Sequence, residues 1–276
     1  MIGLCTDSNA QLPEELRRRY AVRVVPLTIT IDGEDFLEGV DLDADQFYDR
    51  LSKGPTSITT AAPGPGRLAA GYADLIERGA TEILSVHIGS DVSGTVNAAR
   101  LASAEVGVPV RIVDTGTASF AIACCLWEAA AAIEGGANLE DAARVAESVA
   151  GRLTNVFVVG GLDLARRGGR LAPGTEDRPD VVPVLALVDG QVRRIGEVDD
   201  IEQAVDTMAA AVVATGAVLR VGVGIADAGA SAIGEALASR LEAAPEVLEV
   251  VRYRVGPSVG VHTGPGTAGA CAYPTR

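Results

Sequence analysis

The segment EILSVHIGSDVSGTVNAARLASAEVGVPVRIVD, residues 82–114, decides the fold. Residues 82–88 form a short, mostly apolar run that reads as a strand. Residues 93–106 carry Val96, Ala99 and Ala102 at helical spacing. Residues 110–113 are a second apolar run, ending at Asp114-Thr115. Strand, helix and strand of ordinary length, in that order, are the signature of an α/β protein.

The alternation continues in both directions. Residues 2–5 are a strand that hands over to Thr-Asp-Ser. Residues 22–31 are β-branched and end at Asp32-Gly33, a hairpin turn signal. Residues 43–53 and 67–78 read as helices, and GPTSITTAAPGPG between them (residues 54–66) reads as a loop rich in Pro, Gly and Thr. An Ala-rich helix follows residue 114 to about residue 133, and residues 139–153 form another. From about residue 155 the texture changes. NVFVVGGLDLARRGGRLAPG (155–174) ends in a basic, Gly-rich segment, and VVPVLALVDGQVRRIGEV (181–198) reads as two antiparallel strands about Asp189-Gly190. A helix (201–215), a strand (219–225), a helix (231–242) and a strand (246–253) complete the pattern. The expectation is an α/β chain of two domains, with a mixed sheet and hairpins in the second. Residues 1–150 form the N-terminal α/β domain and 151–276 a C-terminal α+β domain, whose last segment is a candidate to pack back on the first.

Composition narrows the function. Apolar residues make up 48% of the 276 and charged ones 22%, enough for one large or two ordinary cores. The apolar runs are broken every few residues, so no membrane span is expected. MIGLCTDSNAQLPEE at the start lacks the basic and apolar regions of a signal peptide, which places the chain in the cytoplasm. The net charge of −14 argues against binding nucleic acid or an anionic membrane surface. Lys53 is the sole lysine, a bias we read as genomic. Cys5, Cys124, Cys125 and Cys271 form no CxxC pair, so buried free thiols are expected and no metal or cofactor is implied.

Three stretches share one composition: Thr59-Thr60-Ala61-Ala62-Pro63-Gly64, Gly89-Ser90-Asp91-Val92-Ser93-Gly94-Thr95, and His262-Thr263-Gly264. Each offers hydroxyls and bare backbone N–H groups without a lysine. The second joins a strand to a helix, where N–H donors and the macrodipole favour an anion. Ser93 is equally suited to cap that helix. Gly89 and Gly94 have phosphate-loop spacing, but Thr95 stands where the lysine belongs, which weakens a nucleotide reading. Ser93 with His262, and Asp7 or Asp114 as third member, is the pair a serine esterase or hydrolase would use, although no G-x-S-x-G elbow surrounds Ser93. Of the two histidines, His87 reads as a partly buried strand residue. His262 lies in GVHTGPGTAG (260–269), read as an open turn whose glycines permit close approach of a ligand or of another backbone.

Taken in order, CTDSNAQLPEEL, VVPLTITIDGEDFLEGVDLDADQFYDRL, SVHIGSDVSGTVNAA, VDTGTAS, DLARRGGRLA, VPVLALVDGQV and GVHTGPGTAG resemble the DegV family of bacterial fatty-acid-binding proteins over essentially the whole chain. The resemblance implies a long-chain fatty acid as ligand, its carboxylate held by a threonine, a serine and a histidine that align with Thr60, Ser93 and His262. Gly94, Thr95 and Thr263 are additional candidates. It further implies a non-catalytic subunit that presents the acyl chain to a fatty acid kinase for acyl-phosphate formation and phospholipid synthesis, with Arg170 of RRGGRL in partner contact. Two departures stand out. The family's Thr-Ser-x-Pro-Ser is here Thr60-Ala61-Ala62-Pro63-Gly64, two hydroxyls fewer, and its Lys-Val-Arg after the second hairpin is here Glu197-Val198-Asp199. Residues 118–132, ASFAIACCLWEAAAA, have the lack of bulk that one wall of an acyl slot needs, as does any Ala-rich packed helix.

Overall fold

The computed structural model describes residues 1–167, 169, 171–172 and 180–275. The elements begin β1 (Ile2–Asp7), α1 (Glu14–Arg19), β2 (Arg23–Val25), β3 (Thr28–Ile31), β4 (Glu34–Leu37), α2 (Ala44–Ser52) and β5 (Ile58–Ala61). Next come α3 (Pro65–Glu77), β6 (Glu82–His87), α4 (Thr95–Ser103), β7 (Val110–Asp114), α5 (Phe120–Glu134) and α6 (Leu139–Ala150). They continue with β8 (Thr154–Val158), α7 (Asp163–Arg167), β9 (Val182–Val188), β10 (Gln191–Val198), α8 (Ile201–Val213) and β11 (Leu219–Ile225). The last are α9 (Ser231–Glu242), β12 (Val247–Arg254), α10 (Pro257–Thr263) and β13 (Ala268–Pro274). The chain divides into two compact units, Met1–Asp41 with Thr60–Gly151, and Leu42–Thr59 with Arg152–Arg276.

In the first unit a four-stranded sheet has the order β2-β1-β6-β7, every pair parallel. Helices α3 and α4 cover the face that carries Cys5 and Ile83, and α5 and α6 form a second pair packed against each other and the sheet. Parallel strands enclosed this way lose their alternation; β1 and β6 are buried at every position after the first. The β-branched stretch 22–31 is broken at Pro26 into β2 and β3. β3 and β4 form a hairpin in a small sheet completed by β5. Its turn residues Asp32 and Gly33 have φ of 49° and 87°, the backbone a two-residue hairpin turn requires.

The second unit holds a mixed six-stranded sheet, order β10-β9-β8-β13-β11-β12, in which only β11 and β12 run parallel. The hairpin expected about Asp189-Gly190 joins β9 to β10. Helices α8 and α9 pack on the valine- and alanine-rich face of the sheet. The last strand, β13, left unassigned on sequence, inserts between β8 and β11. Helix α2 starts at a capping box, in which Asp43 accepts from the Gln46 amide at 2.8 Å and Gln46 accepts from the Asp43 amide at 3.0 Å. It groups with the second unit because Phe47 and Tyr48 are buried there, with the Tyr48 hydroxyl donating to the Val255 carbonyl at 3.1 Å.

Two local expectations are corrected. Residues 54–66 are not all loop, since Ile58–Ala61 form β5. GVHTGPGTAG is not an open turn up to Gly264. Pro257 at the first helical position presets φ, and α10 runs to Thr263, so His262 lies in its last turn. Gly260 also serves a different neighbour from the one expected. A Cβ there would lie 2.6 Å from the Tyr48 hydroxyl and 2.7 Å from Phe47 Cε1, so its bareness admits the α2 aromatics.

Candidate functional site

In the first unit the chain leaves β1 toward β2 on one side and returns to β6 on the other, so the strand order reverses between β1 and β6. In open α/β sheets ligands bind outside the carboxyl ends of strands at such a reversal. The segments placed there are Asp7-Ser8-Asn9 at the end of β1 and Gly89–Thr95 after β6. A dense set of hydrogen bonds sets them. Asp7 accepts from the Asn9 amide on one oxygen (3.1 Å) and from the Ile88 amide on the other (3.1 Å). Asp114, at the end of β7, accepts from the Ser90 and Gly116 amides at 3.0 and 3.2 Å. Asn9 accepts from the Ser119 amide at 2.9 Å. At Gly89 the backbone of the next loop passes so close that a Cβ would sit 2.7 Å from the Gly116 carbonyl carbon.

Ser93 is half-buried just before α4. The capping position itself falls on Gly94, not Ser93 as the cap reading had it, although the Ser93 hydroxyl still lies 3.4 Å from the Thr95 amide. Ser93 and Thr95 share a hydroxyl–hydroxyl hydrogen bond of 2.9 Å; Thr95 is fully buried and Gly94 exposed. Thr60 is half-buried on β5. Its loop reaches the same place, for a Cβ built on Gly94 would touch the Ala62 methyl at 3.9 Å. The first unit therefore brings the first two hydroxyl-bearing stretches together at the start of α4, where helix N–H groups lie outside the intrahelical ladder.

The third stretch belongs to the second unit. His262 and Thr263 are half-buried at the end of α10. The following turn is tied down by Asp227, which accepts from the Gly266 amide at 3.1 Å and the Ala230 amide at 3.2 Å. The Thr267 hydroxyl donates to the Thr263 and Gly264 carbonyls at 3.0 and 2.9 Å. Arg170 lies outside the described residues. Glu197, at the family's departure after the hairpin, pairs with Arg194 on the same strand. Residues 118–132 fall largely on α5, whose side chains are buried from Phe120 to Leu126.

A polar network went unread in the sequence. Tyr72 on α3, Ser85 and His87 on β6 and Asp7 on β1 form a chain with the hydroxyl pair at 2.9 Å, Ser85 Oγ to His87 Nε2 at 2.7 Å and His87 Nδ1 to Asp7 Oδ2 at 2.9 Å. All four are fully buried, which corrects the expectation of a partly buried His87. The signal was available: Cys5 and Asp7, and Ser85 and His87, are polar residues two apart in apolar strands and therefore share a sheet face. Their order is that of a Ser-His-Asp triad. Ser85 itself has no exposed surface, however, and its hydroxyl is bonded to Tyr72 as well as to His87. Beside them burial pushes the Cys5 thiol up to about 12, which removes it as a nucleophile. All four cysteines are buried and outside any disulfide. Among the described residues no group of three His, Cys, Asp or Glu could hold a metal ion, and no helix is long and apolar enough to cross a membrane.

A parallel sheet with its loops gathered at the reversal point, and a second unit built on a mixed sheet, define an α/β class of protein. The family model described as "Uncharacterised protein, DegV family" matches residues 1–275, and the chain belongs to the DegV family. A DegV domain-containing protein of Streptomyces coelicolor is 31% identical over 272 residues, covering 97% of this chain and 96% of the relative. Among solved structures, one described as "Fatty Acid Binding of a DegV family Protein from Thermus thermophilus" matches with a TM-score of 0.89 and 30% identity, over 99% of each chain. DegV of Bacillus subtilis, described as a fatty acid binding protein, matches with a TM-score of 0.88 and 25% identity, over 99% of this chain and 98% of that one.

Proposed function

We propose that this protein is a cytoplasmic, non-catalytic carrier that binds one long-chain fatty acid, holds its carboxylate with Thr60, Ser93 and His262, and presents it to a fatty acid kinase for acyl-phosphate formation and phospholipid synthesis. The observation that carries the proposal is the meeting of the Thr60 and Ser93 loops at the start of α4, in a chain that aligns end to end with a fatty-acid-binding relative. The chemistry is consistent. A carboxylate withdrawn from water needs donors, and hydroxyls, backbone N–H groups and an imidazole supply them at roughly 1.5–3 kcal/mol for each bond to the charged group. The acyl chain provides most of the affinity. About fourteen buried methylenes at ~0.8 kcal/mol each give on the order of 11 kcal/mol gross, against association costs of roughly 4–15 kcal/mol. Donors without a base–nucleophile pair suit a protein that must hold a carboxylate without attacking it. In this role Arg170 contacts the kinase, while the family's Lys-Val-Arg is replaced by Glu197-Val198-Asp199, with Glu197 paired to Arg194.

The carrier is tested by melting the delipidated protein with palmitate, oleate or ATP. At one hundred times Kd a bound ligand stabilises by about 2.7 kcal/mol, so a clear rise in Tm is expected with one or both fatty acids and none with ATP. Delipidated, refolded protein that takes up neither lipid would overturn the proposal. A response to ATP alone would point to the nucleotide reading instead.

A further inference from the structure

The Tyr72–Ser85–His87–Asp7 chain is too costly to be incidental. Four polar side chains with no exposed surface must satisfy one another, because a buried group left unpaired costs the full desolvation of that group. Counting donors sets the direction of the bonds at the two ends of the chain. Both Asp7 oxygens already face backbone N–H groups, from Asn9 and Ile88, so Asp7 can only accept. His87 Nδ1, 2.9 Å from Asp7 Oδ2, must then carry a proton. At the far end the Tyr72 hydroxyl has Ser85 as its hydrogen-bond partner, so its proton points to Ser85 Oγ. Two acceptors are open to the Ser85 proton, the Cys5 sulfur and His87 Nε2; sulfur accepts weakly, so the proton goes to the ring nitrogen, which is therefore bare.

We infer that this one-way relay locks His87 as the neutral Nδ1–H tautomer and makes Asp7 and His87 positioning residues. The buried Asp7 carboxylate acts as the clamp that sets the β1–α1 and β6–α4 loops, and hence Ser93, for a carboxylate-bearing ligand. The clamp point lies at the root of both loops: Asn9 is two residues beyond Asp7, and Ile88 immediately precedes Gly89. The His87 carbonyl is held in turn by the Thr115 hydroxyl and amide at 2.8 and 3.2 Å, so the strand end cannot shift independently of β7. The effect on ligand binding rests on the carrier proposal above; the tautomer and the clamp do not.

The test uses the full chain labelled with nitrogen-15. His262→Gln leaves His87 as the single imidazole, and long-range proton–nitrogen correlation should show a protonated Nδ1, its proton far downfield, and an unprotonated Nε2. Asp7→Asn should speed amide exchange of residues 89–95 by about tenfold or more, with the α6 amides unchanged, and weaken palmitate binding about tenfold. His87→Asn, whose amide stands near the Nδ1 position and keeps a donor toward Asp7, should bind palmitate more tightly than His87→Leu. A protonated Nε2 in the spectrum overturns the relay. Loop exchange in Asp7→Asn that matches the parent overturns the clamp. If the parent itself takes up no palmitate, the carrier proposal fails and the amide exchange still decides the clamp.

Discussion

Replacement of Asp7 by alanine is expected to lower the free energy of unfolding by about 3 kcal/mol or more, at roughly 1–3 kcal/mol for each buried donor left without an acceptor. The loss has a specific origin. Three donors, the Asn9 and Ile88 amides and His87 Nδ1, would lose their acceptor in a place that water does not reach. Urea titration should show a lower midpoint with an unchanged m-value, since the surface exposed on unfolding is the same. Glu105→Ala, at an exposed position, should stay within about 0.5 kcal/mol of the parent. A loss below about 1 kcal/mol for Asp7→Ala would mean that the network is not the buried, fully satisfied chain described above.

The second large effect concerns the ligand. Ser93→Ala and His262→Ala should each weaken palmitate binding by roughly 1–3 kcal/mol, about 5- to 150-fold in Kd. The double variant carries the sharper information. If both side chains donate to one carboxylate they share a partner, and groups that share a partner do not act additively. A double-mutant cycle by titration calorimetry should then give a coupling energy of at least about 0.5 kcal/mol. Ser93 and His262 lie in different units and 169 positions apart in the sequence. Additive losses, or full affinity in both single variants, would remove the head-group assignment.

Much of the fold was legible because its signals are local. The two Asp-Gly hairpins follow from two-residue turn chemistry, and β11 and α9 carry clear periodicity between Gly- and Pro-containing boundaries. What failed to show has physical causes. β5 is four residues of Ile, Thr and Ala inside a segment of prolines and glycines, and it exists because β3 offers a sheet edge. β13, AGACAYP, is made of small residues; at Gly269 a Cβ would stand 2.4 Å from the Val156 carbonyl oxygen, so packing forbids the side chains that announce a strand. Helix α10 was concealed by the glycines that let α2 approach it. The grouping of α2 with the second unit depends on a hydrogen bond between residues 48 and 255, which no local window contains.

The candidate site residues rest on a different kind of signal. Thr60, Ser93 and His262 were chosen for their chemistry and their family motifs, and the first two loops do meet in the first unit. The buried network of the first unit was missed because each member, taken singly, is an ordinary strand or helix residue. Only the parallel register that pairs Cys5 with Ser85, and so sets Asp7 beside His87, turns them into a unit.

The most direct test is a crystal structure of the protein with palmitate bound. The account requires the carboxylate oxygens to lie within about 3.2 Å of donors from Thr60, Ser93 and His262 together, with the acyl chain buried. A lipid whose carboxylate faces solvent, or whose head group rests on other residues with His262 out of hydrogen-bonding reach, would contradict it.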